Sequence, residues 1–298
     1  MLFSEKTATE KRAAFRDELA TGRLLQFPGA YAPIVSLLIQ DQGFDGVYIS
    51  GAALSAELGL PDIGLTTLSE VTQRGRQIAR VTELPALIDI DTGFGEPMSA
   101  ARSIQELEEL GLAGCHLEDQ MNPKRCGHLD NKSIVPTSEM TMKLRAASDA
   151  KKDPNFLLMA RTDARASEGL DAAIDRCKAY IDAGADAIFP EALQGWGEYE
   201  KVREEIDVPL LANLTEFGKT PILNIDDFSG MGYDLVIYPV TMQRIAMGAV
   251  VRALEMLHRD GDVSSLLDSM QTREELYDLL GYTPGTPWIH PNSATRTS

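Results

Sequence analysis

Short apolar, β-branched runs recur along the chain, each ending on polar residues and followed by a helical stretch. They occupy 24–30, 46–50, 85–91, 113–119, 156–162, 186–191, 208–215 and 234–239. Near-continuous apolar runs suit parallel strands buried on both faces. Between them, Ile104, Leu107 and Leu110 recur at helical spacing, with Pro97 suited to the first turn and Gly111 to the stop. Ile174, Cys177 and Ile181 form a second stripe, ended by Gly184, and Trp196, Tyr199, Val202 and Ile206 form a third that reads as core packing. Repeated strand–helix units predict an α/β protein, a (β/α)8 TIM-type barrel. A doubly wound open sheet is the weaker reading, because no Gly-rich dinucleotide fingerprint follows the first strand. Helical pattern continues past the last run, near 241–258 and in two shorter stretches to Leu280. The expectation is one barrel domain over 1–298, with about 241–298 forming C-terminal helices and tail that pack on a neighbouring subunit.

Charge narrows the possible partners. The chain has 28 basic and 45 acidic residues, a net charge of −17. Such a surface repels phosphate backbones and anionic lipid, so neither nucleic acid nor membrane is an expected partner. No run approaches the ~18 apolar residues of a membrane-spanning helix. An anionic substrate would need its own local cations or a metal. Three cysteines, Cys115, Cys126 and Cys177, fit a reducing compartment better than a disulfide framework. The charged start lacks the apolar stretch of a secretory signal, and a cytoplasmic location is expected.

The polar residues collect where the apolar runs end, which in such barrels is the catalytic rim. Tyr48 and Ser50 close one run. Asp89 and Asp91 close another, then His116, Glu118 and Asp119, then Arg161 and Asp163, Glu191, and Asn213 with Thr215. Asp89 and Asp91, two apart on a strand, are expected to share a face. Two such carboxylates repel unless a cation intervenes, and oxygen-only donors favour Mg²⁺. Gly93, Phe94 and Gly95 beside them allow a tight loop. Cys126 lies in KRCGH, 124–128, among cations and a histidine that would lower its thiol pKa. Cys115 and Cys177 sit in apolar settings and read as core. His116 and His128 lack zinc-pair spacing. Arg161, Arg244 and Arg273 are candidates to hold carboxylates. Arg161 is the strongest, because an unpaired charge after FLLMA would be costly.

KRCGH, with IDIDTGFG upstream and NLTEFG downstream, resembles the isocitrate lyase/phosphoenolpyruvate mutase superfamily, and within it is most similar to the 2-methylisocitrate lyases. The likeness runs from FPGAYAP near Phe27 to TREELY near Arg273. The inserted segment of the isocitrate lyases is absent, and NLTEFG stands where they carry an SPSFNW-type run. HLDNK follows the motif where an Arg often comes after the His, and Ala52 stands where a second Gly is common. The resemblance implies a Mg²⁺-dependent carbon–carbon lyase. It would cleave a tricarboxylate, 2-methylisocitrate, by retro-aldol chemistry to pyruvate and succinate in the methylcitrate cycle of propionate catabolism. It also implies a homotetramer with a swapped C-terminal helix. By position it makes Cys126, Tyr48 and Arg161 catalytic. Asp89 and Asp91 would serve the metal, with Asp62 and Glu118 in its outer shell. Ser50, Gly51, Ala52, Lys124, Gly127, His128, Glu191, Asn213, Leu214, Thr215, Arg244 and Arg273 would hold substrate. Two alternatives stay open: a 2,3-dimethylmalate lyase or other superfamily enzyme, and a metabolite-binding barrel without chemistry.

Overall fold

The computed structural model describes residues 3–125, 127, 132–218 and 224–285. Within them the apolar runs become eight parallel strands: β1 (Leu25–Pro28), β2 (Val47–Ile49), β3 (Ala86–Asp89), β4 (Gly114–Glu118), β5 (Leu157–Thr162), β6 (Ala187–Pro190), β7 (Leu211–Asn213) and β8 (Leu235–Tyr238). They form two parallel sheets, ordered β1-β8-β7 and β2-β3-β4-β5-β6. Single bridges cross both seams, Gly29 with Tyr48 and Ile188 with Leu210.

Helix α1 (Ala8–Leu19) precedes the strands. Between the strands lie α2 (Pro33–Asp41), α3 (Gly51–Glu57), α4 (Leu68–Ala79), α5 (Pro97–Glu109), α6 (Thr137–Ala150), α7 (Arg165–Glu168), α8 (Leu170–Asp182), α9 (Trp196–Glu205) and α10 (Ile225–Gly230). After β8 come α11 (Thr241–Asp260), a 3₁₀ turn at Ser264–Ser269 and α12 (Arg273–Leu279). As the spacing predicts, Pro97 opens α5, and Gly111 takes a positive φ of 88° just past its end.

The two faces of the strands build two cores. Ile49, Ile88, Cys115, Leu158, Ala160, Ile188, Ala212 and Val236 pack with the helices in the larger one. Alternate positions, among them Leu25, Leu87, Leu157, Met159, Ala187, Leu211 and Leu235, form a smaller inner cluster with Phe15 and Leu19 of α1. Cys115 and Cys177 are buried in the strand–helix core as read, and burial pushes both thiols up, Cys177 to about 12. The third helical stripe needs one correction. Tyr199, Val202 and Ile206 are buried, but Trp196 is 42% exposed, because it sits in the first turn of α9 at the rim.

No residue of α11 is buried, and Ile245, Val250, Val251, Leu254 and Leu257 are all exposed. No helix among the described residues is long and apolar enough to cross a membrane.

Candidate active site

Strand register decides which polar residues meet. Asp89 pairs with His116 across β3 and β4, and Glu118 pairs with Arg161 across β4 and β5. On β5, Leu157 and Met159 belong to the inner cluster, and Arg161 continues the same face two residues on. Phe189 on β6 lies under the guanidinium, 5.2 Å from it to the ring centroid. The inner face thus changes from apolar to charged along its length.

Three carboxylates surround Arg161. Its Nε is 3.2 Å from Glu118 and 3.0 Å from Asp163, and its Nη1 is 3.4 Å from Glu191. Asn213 donates to Glu191 at 3.3 Å. Burial opposes a charged Arg161, but Asp163, Glu118 and Glu191 win and keep it firmly protonated. Burial pushes Glu118 well above the carboxylate range, against the pull of Arg161.

Asp89 and Asp91 meet, but not by strand alternation. β3 ends at Asp89, and Asp91 turns back with φ 48°, so the expected shared strand face is replaced by a turn. The N–H of Asp91 donates to Asp89 Oδ1 at 2.9 Å, and that of Gly51 donates to Asp89 Oδ2 at 3.2 Å. A side chain at Gly51 would place Cβ 3.0 Å from Asp89 Oδ2 and 3.1 Å from Asp91 Oδ1, so glycine leaves a cradle open beside both. Lys124 Nζ lies 2.7 Å from Asp91 and also pairs with Asp62. Burial and then Asp89 push Asp91 up to about 6. Burial raises Asp89 too, but His116, Lys124 and Arg161 outweigh it and leave this carboxyl below its ordinary value.

Tyr48 Oη lies 2.7 Å from His116 Nε2, and His116 Nδ1 lies 3.8 Å from Asp89. Burial pushes the imidazole down to about 4, so it is neutral. Burial and then Asp89 push the Tyr48 phenol well above its usual range. The nearby cations that would make Tyr48 a ready base are outweighed.

Part of this set lines one small cavity of about 70 Å³. Its walls include Tyr48, Ser50, Ala52, Asp62, Asp89, Lys124, Gly127, Arg161, Glu191, Asn213, Thr215 and Arg244 from the predicted set. Arg244 donates to Thr215 at 3.3 Å and to Glu216 at 2.9 Å. Fixed cations therefore face buried carboxylates across a space that suits a small, multiply charged anion.

A family model described as phosphoenolpyruvate phosphomutase matches residues 15–258. The chain belongs to this family. It is 56% identical over 282 residues to a protein from Corynebacterium glutamicum named probable 2-methylisocitrate lyase 2, covering 94% of this chain and 92% of that one. Its fold is similar to a solved 2,3-dimethylmalate lyase, with a TM-score of 0.86, 31% identity, and 93% of each chain covered. It is also similar to phosphonopyruvate hydrolase solved with oxalate and Mg²⁺, with a TM-score of 0.82, 31% identity, and 91% and 95% covered.

Within this family member, Gly51 touches the acidic pair from behind, and Asp91 also faces a neighbouring groove beside Thr92 and Phe94. Glu118 stands against Arg161. Besides Gly51, two predicted substrate contacts among the described residues do not line the cavity. The side chain of Leu214 packs in the strand–helix core, because it alternates with the inward Asn213. Arg273 is exposed in the first turn of α12, whose Thr272 cap and flanking glutamates make it a solvated helix start. Cys126 and His128 lie outside the described residues. Sequence reasoning missed Phe189, Pro239 and Val240 as lining. An apolar residue at a strand end looks like core until the strand register shows which way it points.

Proposed function

We propose that this chain is a Mg²⁺-dependent lyase that cleaves 2-methylisocitrate to pyruvate and succinate, serving propionate catabolism. The observation that carries the reading is the cavity itself, where Arg161 and Lys124 face Asp89, with Asp91 paired to Lys124 behind it. The relative from Corynebacterium glutamicum bears the name of this activity.

The acidic pair fits a hard divalent cation. Its donors are all oxygen, Gly51 keeps the space beside them open, and Mg²⁺ characteristically takes one or two carboxylates and keeps its waters. Asp89 and Asp91 would hold it, backed by Asp62 and Glu118. When bound, Mg²⁺ supplies charge stabilisation to the oxoacid end of the substrate.

The protein's own groups do the rest. Arg161 binds and polarises the oxygen that becomes the pyruvate carbonyl. The substrate hydroxyl passes its proton to Tyr48 as Tyr48 passes its own to His116, which lets a phenol of raised pKa act without first ionising. The electrons of the breaking carbon–carbon bond move to the carbon next to a carboxylate. The Cys126 thiol gives that carbon its proton, and Lys124, Arg125 and His128 stabilise the thiolate left behind. Ser50, Gly51 and Ala52 receive one carboxylate. Asn213, Thr215, Glu191, Gly127 and Arg244 hold the succinate half.

We also infer that the two sheets, joined by bridges at both seams, are one closed eight-stranded barrel in a single domain. The uncovered apolar residues of α11 support exchange of that helix between subunits of a homotetramer, which would also bring Arg273 to a neighbour. The reducing habit of the three cysteines supports a cytoplasmic enzyme.

A second reading, cleavage of 2,3-dimethylmalate, is favoured by the likeness to the solved lyase of that name. One assay separates them: purified protein with Mg²⁺ and racemic 2-methylisocitrate or 2,3-dimethylmalate, with pyruvate coupled to an indicator enzyme. Pyruvate from the first substrate is expected. Faster turnover of the second reassigns the substrate, and binding without any product makes the protein a metabolite-binding barrel.

A further inference from the structure

Lys132 stands between the segment carrying Gly127 and helix α6. Its side chain is 1% exposed, and its ammonium spends its donors on two groups. One is the backbone carbonyl of Gly127, and the other is Asp163 Oδ1 at 2.6 Å. Asp163 has no exposed surface. Its carboxylate also accepts from Arg161 Nε at 3.0 Å and Nη2 at 3.3 Å.

The main chain at Asp163 is tied down. Its N–H donates to Asp119 Oδ1 at 2.9 Å. Asp119 is itself fixed, accepting from the hydroxyls of Thr162 at 2.7 Å and Tyr180 at 2.8 Å. The Arg161 guanidinium is therefore shared among Asp163, Glu118 and Glu191, three carboxylates for one cation. Lys132 supplies a second positive charge on the Asp163 side, which leaves the guanidinium free to serve Glu191 and the cavity. Gly127 is pressed against the same group: a Cβ there would lie 2.5 Å from Arg161 Nη2. One ammonium thus joins the backbone at Gly127 to the side chain that aims Arg161.

We propose that Lys132 is a positioning residue, which holds Gly127 and the Asp163–Arg161 pair in one arrangement so that the guanidinium faces the cavity. The role rests on the reading above only in giving Arg161 an oxoacid to bind. A compact ammonium can reach two acceptors from a single nitrogen, whereas the longer, planar guanidinium of arginine cannot replace it in a pocket of this size.

The test uses the full-length protein and variants Lys132→Met and Lys132→Arg, with oxalate as the probe, titrated calorimetrically in the presence of MgCl₂. Both variants should bind oxalate about 10-fold more weakly, and kcat for 2-methylisocitrate should fall by about 100-fold, well beyond the change in KM, as for lost support of an active-site group. Lys132→Arg retains the charge but overfills the pocket, so some stability is lost, and binding and kcat are read below its melting temperature, where the folded protein should still show both falls. That separates aiming from charge balance, and it decides the matter even if Lys132→Met fails to fold. Oxalate affinity and kcat within threefold of wild type in Lys132→Arg would overturn the proposal. A wild-type protein that binds oxalate but leaves 2-methylisocitrate intact would overturn the substrate reading, while the oxalate comparison still decides the role of Lys132.

Discussion

Along β5 the inner face begins with Leu157 and Met159, packed with Leu25, Leu87, Leu211 and Leu235 and closed off by Phe15 and Leu19 of α1. The same face ends at Arg161, which pairs with Glu118, Asp163 and Glu191. At the first end the cations serve mainly the backbone, with one carboxylate partner, Asp153, 3.0 Å from Arg12. Lys11 donates to the carbonyls of Ala79 and Thr82, and Arg12 to those of Leu112 and Glu108. At the second end cations face carboxylates, and several of these are held away from their ordinary pKa. One end removes apolar surface from water and satisfies helix and loop termini. The other concentrates charge that costs stability and gives chemistry. Mutations at the two ends should therefore separate folding from turnover.

The sharpest test of that separation is Cys126→Ser. Loss of the proton donor should lower kcat by about 10²–10⁴-fold with the melting temperature and oxalate binding kept. A near-normal rate would remove Cys126 from the mechanism. Arg161→Met should do both kinds of damage. Activity should fall by about 10²–10³-fold, and the buried cluster of Glu118, Asp163 and Glu191 would lose its shared cation, at a cost of about 3–5 kcal/mol in denaturant unfolding. An Arg161→Met protein as stable as the wild type would mean that the charged end carries none of the fold.

Phe15→Ala breaks the comparison from the other side. Phe15 is 2% exposed, and its ring lies tilted against that of Phe27 with 5.2 Å between centroids. Its loss should cost about 3–5 kcal/mol by leaving a cavity. At a temperature where the variant is still folded, KM and kcat should stay within twofold. A large fall in kcat in the folded protein would show that the apolar end sets the geometry of the rim.

The two ends were not equally legible in the sequence. The apolar end follows from local pattern. Each run became a strand, and the alternation within it chose inner or outer core. The charged end could be listed but not assembled. Asp89 and Asp91 were read as strand neighbours, yet they meet through the positive φ of Asp91. Asp163 was visible as a polar strand end, but its link to Lys132 spans 31 positions and has no local signature. Leu214 and Arg273 matched a motif by position, and only the direction of a side chain and the placing of α12 set them outside the cavity. The apolar face of α11 was legible as excess over what the sheets need.

The smallest predicted effect lies at the apolar end and depends on pH. Burial pulls the Lys11 ammonium down from 10.5 to about 8, against the attraction of Glu83. The folded state therefore releases this proton before the unfolded chain does. Between about pH 8 and 10.5 the unfolded state binds more protons at this site, so stability contributed by Lys11 rises with pH across that window and is flat below it. The neutral amine can still donate to the carbonyls of Ala79 and Thr82, so the contacts survive deprotonation. Lys11→Met removes the titration along with those two donors. The difference in unfolding free energy between wild type and Lys11→Met should widen from pH 7.5 to pH 10 in favour of the wild type. Parallel curves would mean that Lys11 is solvated when charged and that the plug made by α1 is looser than its packing implies. The same series followed with Phe15→Ala as background should leave the slope in place, since Lys11 keeps both of its acceptors, the carbonyls of Ala79 and Thr82.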